Sequence, residues 1–248
     1  MHAVDLHRPT VVINCAAYTK VDLAEVERDA AFAINTLAAG TIASACKSRG
    51  IRLVHFSTDF VFNGESSGPY QPNDPTDCLS AYGQSKLEGE SLVRAIDPPG
   101  WMIIRTAWLF GDTGPCFPKT ILDRARAGQT LKVVNDQIGS PTYAPDLAAT
   151  TLDLIGASAC GIRHVTNSGQ CSWFDFAEAI VDAAGMSANL QPTTTAGYRA
   201  TRPNIAIRPA FSVLADDKLP QLIGRHMRPW QEALSDFILS YRSSQSLR

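Results

Sequence analysis

The side chains with the clearest chemical potential in this sequence are Tyr82 and Lys86, four residues apart at the start of an amphipathic run. That spacing puts both on one face of a helix. A phenol beside an ammonium is a proton-transfer pair. The ordinary phenol pKa of ~10 is too high for acid/base work near neutrality, whereas a neighbouring cation and a helix N-terminus both favour the phenolate. Lys86 is therefore expected to lower the pKa of Tyr82. Thr58, at the end of the preceding apolar run, is placed to hydrogen-bond the phenol or a reacting oxygen. Tyr and Lys at this spacing also occur as an ordinary surface pair. The context argues for chemistry: the pair follows a strand that ends in Ser57-Thr58-Asp59, and ligands bind at strand ends in open parallel sheets.

The elements that must position these groups follow from the pattern. Thr10 to Ala16, TVVINCA, reads as a buried strand, and the small residues after Asn14 allow a ligand to approach the backbone. A helix is expected from about Glu27 to Lys47, ending at Gly50, and a second strand from Ile51 to Ser57. The Tyr82 helix should run to about Ile96 and stop before Asp97-Pro98-Pro99-Gly100. Further strands are expected at Met102 to Ala107, Leu131 to Val134 and Ile162 to Val165. Helices are expected at Cys116 to Ala127, from Pro145 to about Ile155, from the capping box at Ser172 to Asp175 through Ala184, and at Trp230 to Tyr241. Gln191 to Pro209 shows no periodicity. Strands alternating with helices imply an α/β fold on a mostly parallel sheet with right-handed crossovers.

Composition bounds the alternatives. At 248 residues, 45% hydrophobic and 19% charged, the chain has ordinary globular statistics. A net charge of −2 gives no electrostatic case for nucleic acid or an anionic membrane as partner. Apolar runs are too short to span a bilayer and the N-terminus has no signal-peptide pattern, so a cytoplasmic location is expected. The six cysteines lack metal-ligand or C-x-x-C spacing and read as reduced thiols, and the five histidines form no metal-like pair.

Seven stretches resemble the dTDP-4-dehydrorhamnose reductase family of the extended short-chain dehydrogenase/reductase superfamily. They are VVINCAAYTKVDLAE, LVHFSTDFVFNG, PYQPNDPTDCLSAYGQSKLEGE, IIRTAWLFG, VVNDQIGSPTYAPDLA, SWFDFAEAI and RPAFSVLADDKL, running in the family's order from about Val11 to Leu219. Tyr-x-x-x-Lys alone would give only the superfamily. The resemblance implies a Rossmann-type domain over residues 1–111 and 141–166, and a substrate-binding lobe over 112–140 and 167–248. The departure is at the front. Relatives begin with a strand, a G-x-x-G-x-x-G phosphate loop, a helix and another strand, whereas here about ten residues precede the match and neither glycine motif occurs. The expectation is a chain that lacks the first β-α-β unit. The intact later motifs favour a start at an internal methionine of a longer frame over a natural remnant. Uncovered apolar faces would then favour poor solubility or association, with a homodimer as one form.

The resemblance implies reduction of dTDP-4-dehydro-L-rhamnose to dTDP-L-rhamnose by NADPH or NADH. Tyr82 is then the acid at the carbonyl oxygen. Lys86 supports it and hydrogen-bonds the nicotinamide ribose, and Thr58 orients phenol and substrate. Ala17, Tyr18 and Thr19 map onto the cofactor-contacting loop. Asp59 and Trp108 map onto substrate contacts, although core packing competes for Trp108. Asn135, Gln137, Ser140 and Thr142 form a polar loop expected to face the substrate cleft. Either Arg208 or Arg202 is suited to the diphosphate. No metal site carries over. Two other functions fit the same scaffold: a non-catalytic binding subunit like the β subunit of methionine adenosyltransferase, and a sugar-nucleotide epimerase or dehydratase.

Overall fold

The computed structural model describes residues 2–202 and 205–246. A short helix α1 (His2–His7) leads into β1 (Val11–Asn14), and a 3-10 turn (Leu23–Glu25) follows. The next helical run has three parts, α2 (Arg28–Phe32), a π-helical turn (Ala33–Leu37) and α3 (Ala38–Lys47). Strand β2 (Arg52–Thr58) ends in a 3-10 turn (Asp59–Val61), and α4 (Ala81–Ile96) carries Tyr82 and Lys86. Then come β3 (Met102–Thr106), β4 (Leu109–Phe110), α5 (Phe117–Arg126), β5 (Leu131–Val134), β6 (Ile138–Gly139) and β7 (Thr142–Tyr143). After α6 (Ala144–Gly156) and β8 (Gly161–His164), the chain forms β9 (Cys171–Ser172), α7 (Trp173–Ala183), β10 (Leu190–Thr193), α8 (Thr195–Ala200), α9 (Leu219–Ile223) and α10 (Trp230–Ser246).

Four parallel strands in the order β1-β2-β3-β8 make the main sheet. One face, through Leu53 and Ile103, meets Ala39, Ala43 and Val93 of α3 and α4. The other, through Val54, Met102 and Ile104, meets Leu147 and Leu154 of α6. Leu219 and Met227 pack on this second face too, so the chain returns to the sheet side within the stretch assigned by sequence to the substrate lobe. A separate aromatic core joins Phe110, Phe176, Trp230 and Phe237 beside β5 and β10.

The structure corrects three expectations. Strand β1 is an edge strand, with Ile13 40% exposed, where its β-branched run reads as buried. Gln191 to Pro209 holds β10 and α8, which are too short for periodicity to reveal. The expected single helix from Glu27 is interrupted by the π turn. The capping box at Ser172 and Asp175 forms with both reciprocal hydrogen bonds. No disulfide is formed by the six cysteines, of which Cys15 and Cys160 are exposed.

Candidate active site

The site is built where β2 stops. Thr58 Oγ1 accepts the Phe60 N–H at 3.2 Å and donates to Asp59 Oδ1 at 3.0 Å, which turns the chain sharply off the strand. Helix α4 begins against this turn. Ser80 caps it by accepting the Gly83 N–H at 3.2 Å, and the Glu25 carboxylate accepts the Ala81 N–H at 2.9 Å. Gly83 is required there, because a Cβ at this position would collide with the Phe60 carbonyl. The Tyr82 ring consequently lies edge-on to Phe60, with centroids 5.5 Å apart.

Electrostatics at this corner differ from the sequence expectation. Burial pushes the Tyr82 phenol up to about 12; the Thr58 hydroxyl works against that shift and the Asp59 charge adds to it. Lys86 does not lower the phenol as expected: its Nζ donates to the Phe56 carbonyl at 2.5 Å, on the strand side of the helix. Burial brings the ammonium down to about 8, with Glu90 one turn along opposing the shift. Asp59 is 2% exposed, and burial raises its carboxyl to about 6 despite hydrogen bonds from Ser212 and Thr58. Its Oδ2 is buried with no protein partner. The corner therefore holds a protonated phenol, a charged amine and a carboxyl group poised near neutrality.

The loop of Ala17, Tyr18 and Thr19 is fastened to the same helix by Asn35, a buried residue of the π turn. Asn35 accepts the Tyr18 N–H at 2.8 Å and donates to the Tyr18 carbonyl at 3.1 Å and to Ser85 Oγ at 2.9 Å. Ser85 in turn donates to the Tyr82 carbonyl at 2.8 Å. The loop thus reaches the Tyr82 helix through one amide. Asn35 escaped the sequence reading; its only signal is an amide set among Ala and Ile in a helical pattern. The Tyr18 hydroxyl points away to Glu27, at 2.7 Å.

The remaining candidates divide into two groups. Gln137, Arg202 and Arg208 line a cavity of about 670 Å³, together with Phe117, Trp173 and Tyr198. Tyr82, Thr58 and Asp59 are not on its wall. They are joined to it by segment 205–213, which brings Arg208 to the cavity and Ser212 to Asp59. Ser140 and Thr142 turn inward instead. Ser140 Oγ donates to the Gly169 carbonyl at 2.9 Å, Thr142 is fully buried, and neither lines this cavity. Asn135 is exposed at the start of the loop, and its backbone N–H bonds Thr193 at 3.0 Å. Trp108 stacks on Trp173 with centroids 3.6 Å apart and takes a left-handed backbone (φ 47°), a strained state for a bulky residue. Its indole lies so close over Gly139 that no Cβ would fit there.

A parallel α/β sheet with a Tyr-x-x-x-Lys helix packed on a Thr-Asp strand end is a Rossmann-type reductase scaffold. The comparisons agree. A family model, RmlD substrate binding domain, matches residues 1–243. The spore coat polysaccharide biosynthesis protein SpsK of Bacillus subtilis (strain 168) is 42% identical over 243 residues, covering 98% of this chain and 83% of that protein. The dTDP-4-dehydrorhamnose reductase of Aggregatibacter actinomycetemcomitans is 39% identical, covering 94% of this chain and 82% of that one. The crystal structure of dTDP-4-dehydrorhamnose reductase from Bacillus anthracis str. Ames in complex with NADP superposes with a TM-score of 0.90 at 39% identity, covering 96% of this chain and 83% of that one. The chain belongs to the dTDP-4-dehydrorhamnose reductase family, whose model is the RmlD substrate binding domain.

Proposed function

We propose that this protein reduces the 4-keto group of dTDP-4-dehydro-L-rhamnose, giving dTDP-L-rhamnose, with NADPH or NADH as hydride donor. The observation that carries the reading is the corner where the Tyr82 phenol meets Thr58 and Asp59, joined through segment 205–213 to a cation-lined cavity. The names of its relatives support the substrate class, since they include dTDP-4-dehydrorhamnose reductases and a dTDP-4-keto-6-deoxy-D-glucose reductase from Streptomyces niveus.

The residues present fit the nicotinamide-ribose end of the cofactor. The Tyr18 backbone is held against α4, and Lys86 has one protein acceptor among the described residues for three N–H groups. The sequence carries no glycine-rich phosphate motif for the other end. When bound, the reduced nicotinamide supplies the hydride that adds to C4. Ketone reduction also consumes a proton, and Tyr82 supplies it to the carbonyl oxygen. A phenol held near pKa 12 keeps that proton at neutral pH until the oxygen gains charge. Thr58 holds the phenol in line, and the Lys86 ammonium, held at the Phe56 carbonyl, is the group assigned to the nicotinamide ribose. Asp59 Oδ2, buried and unpartnered, is suited to a sugar hydroxyl. Gln137 and Arg208 are the cavity groups assigned to the nucleotide. Arg208 is preferred to Arg202, which lies exposed over the Tyr198 ring at 4.2 Å. Asn135, Ser140, Thr142 and Trp108 are then supports of the cleft wall rather than contacts.

The lobes follow the same reading: residues 1–111 and 141–166 carry the cofactor side and the rest the substrate side, with 219–227 docked on the sheet. No described helix is long and apolar enough to cross a membrane, and the reading places the protein in the cytoplasm. Exposed Val26, Ile34 and Leu37 support a homodimer. The test is NADPH oxidation with the 4-keto sugar nucleotide. Keto-dependent oxidation by the parent and none by Tyr82→Phe is expected, whereas equal rates in both would exclude the assignment.

A further inference from the structure

Arg208 is not left to wander at the cavity mouth. Asp22 stands on the loop that leaves β1, three residues beyond Thr19. Its Oδ1 accepts the Ala206 N–H at 3.1 Å and forms an ion pair with Arg208 Nη2 at 2.7 Å. Arg208 Nη1 also donates to the Ala206 carbonyl at 3.2 Å. One carboxylate oxygen therefore seats a backbone and a guanidinium together, across 184 residues of sequence.

The two side chains are 47% and 25% exposed, so the pair is screened and contributes little to the stability of the fold. Its larger effect is on order. An arginine side chain carries large rotamer entropy, much of which is lost when it grips a ligand. A guanidinium already fixed at a cavity wall has less to lose, and it keeps N–H groups beyond those facing Asp22 and Ala206. Arg202, exposed on the same wall, has no acidic partner among the described residues and sits over the Tyr198 ring.

We propose that Asp22 is a positioning residue for the substrate's diphosphate: it seats segment 205–208 and presents the Arg208 guanidinium to the cavity. This rests on the reading of the cavity as the nucleotide site. The carboxylate's own repulsion of a diphosphate is small beside the gain in order, because the ion pair already neutralises it. The loop that contributes Asp22 is continuous with Ala17 to Thr19, so the element facing the cofactor also sets the substrate's anchor.

The experiment is a calorimetric titration of the whole chain with dTDP and, separately, with thymidine. Asp22→Asn keeps an oxygen for the Ala206 N–H but loses the charge that holds Arg208. It is expected to weaken dTDP binding by about five- to tenfold, the scale of re-ordering one long side chain, and to leave thymidine binding unchanged. Asp22→Glu should recover part of the loss. In an Arg208→Gln background, Asp22→Asn should add nothing. Unchanged or tighter dTDP binding by Asp22→Asn, an equal loss for thymidine, or additive losses in the double variant would overturn the positioning role alone. A parent chain that binds dTDP no better than Arg208→Gln would overturn that role and the reading of the cavity with it.

Discussion

The corner around Tyr82 and the cavity around Arg208 are built in opposite ways. At the corner, functional groups sit at the ends of regular elements, buried, with their ionisation displaced: a phenol near 12, an amine near 8, a carboxyl near 6. At the cavity the two arginines come from the irregular stretch after β10, lie at least partly exposed and are held by an ion pair or a ring, while Gln137 comes from the loop between β5 and β6. The difference matches the two tasks. Moving a proton needs fixed distances and shifted pKa values, which a sheet edge and a glycine-fitted helix provide. Gripping a charged nucleotide needs reach, which loops with arginines provide.

The largest effect expected from breaking this division is at Tyr82. Tyr82→Phe should lower turnover by about 10²–10⁴-fold, the usual weight of a general acid, while dTDP affinity stays at the parent value. Nearly as large, but in stability, is the loss of the ion pair beneath the corner. Arg105 bonds Glu90 at 2.9 and 2.7 Å with both side chains 2% exposed. Arg105→Met strands the Glu90 carboxylate and should cost about 3–5 kcal/mol in a denaturant melt.

The pH dependence comes next. The Asp59 pKa rises on folding from an ordinary 3.8 to about 6, so the stability tied to its protonated form is complete below about pH 4 and is lost as pH rises through 6. Asp59→Asn, which cannot ionise, should gain up to about 3 kcal/mol over the parent above that window and nothing below it, as read from urea melts across pH. Lys86 is depressed to about 8, so the ammonium assigned to the nicotinamide ribose loses its charge above that pH. Turnover should fall on an alkaline limb near 8, and Lys86→Arg should move that limb upward.

The cavity side predicts smaller numbers. Arg208→Gln should weaken dTDP binding about tenfold with little change in kcat, measured by titration and initial rates. Ser140→Ala removes one buried hydrogen bond, costing about 1 kcal/mol of stability, and should leave dTDP affinity untouched.

The sequence is most legible where chemistry and local periodicity coincide. Tyr82 and Lys86 declare themselves by a four-residue spacing, and Ser172 with Asp175 declares a helix start. What stays hidden is set by long-range geometry. The expected lowering of the Tyr82 pKa by Lys86 assumes that the two side chains meet, but the Phe56 carbonyl, on another element, takes the ammonium. Ser140 and Thr142 look like cleft residues because their loop is polar, yet Ser140 is turned to the Gly169 carbonyl and Thr142 is fully buried as the first residue of β7. Asn35 acts through a π turn that a helical period cannot announce, and Asp22 meets Arg208 across nearly the whole chain. The residues of β1 taken alone read as buried, and its exposed edge is legible only through the family resemblance, which implied uncovered apolar faces.

The most direct measurement is the rate of NADPH oxidation by the purified chain with dTDP-4-dehydro-L-rhamnose, with Tyr82→Phe and Arg208→Gln run alongside. Keto-dependent oxidation is expected, abolished in Tyr82→Phe and returning to near the parent rate in Arg208→Gln once the sugar nucleotide is raised. A folded parent chain that oxidises no NADPH, or a Tyr82→Phe variant as fast as the parent, would contradict it.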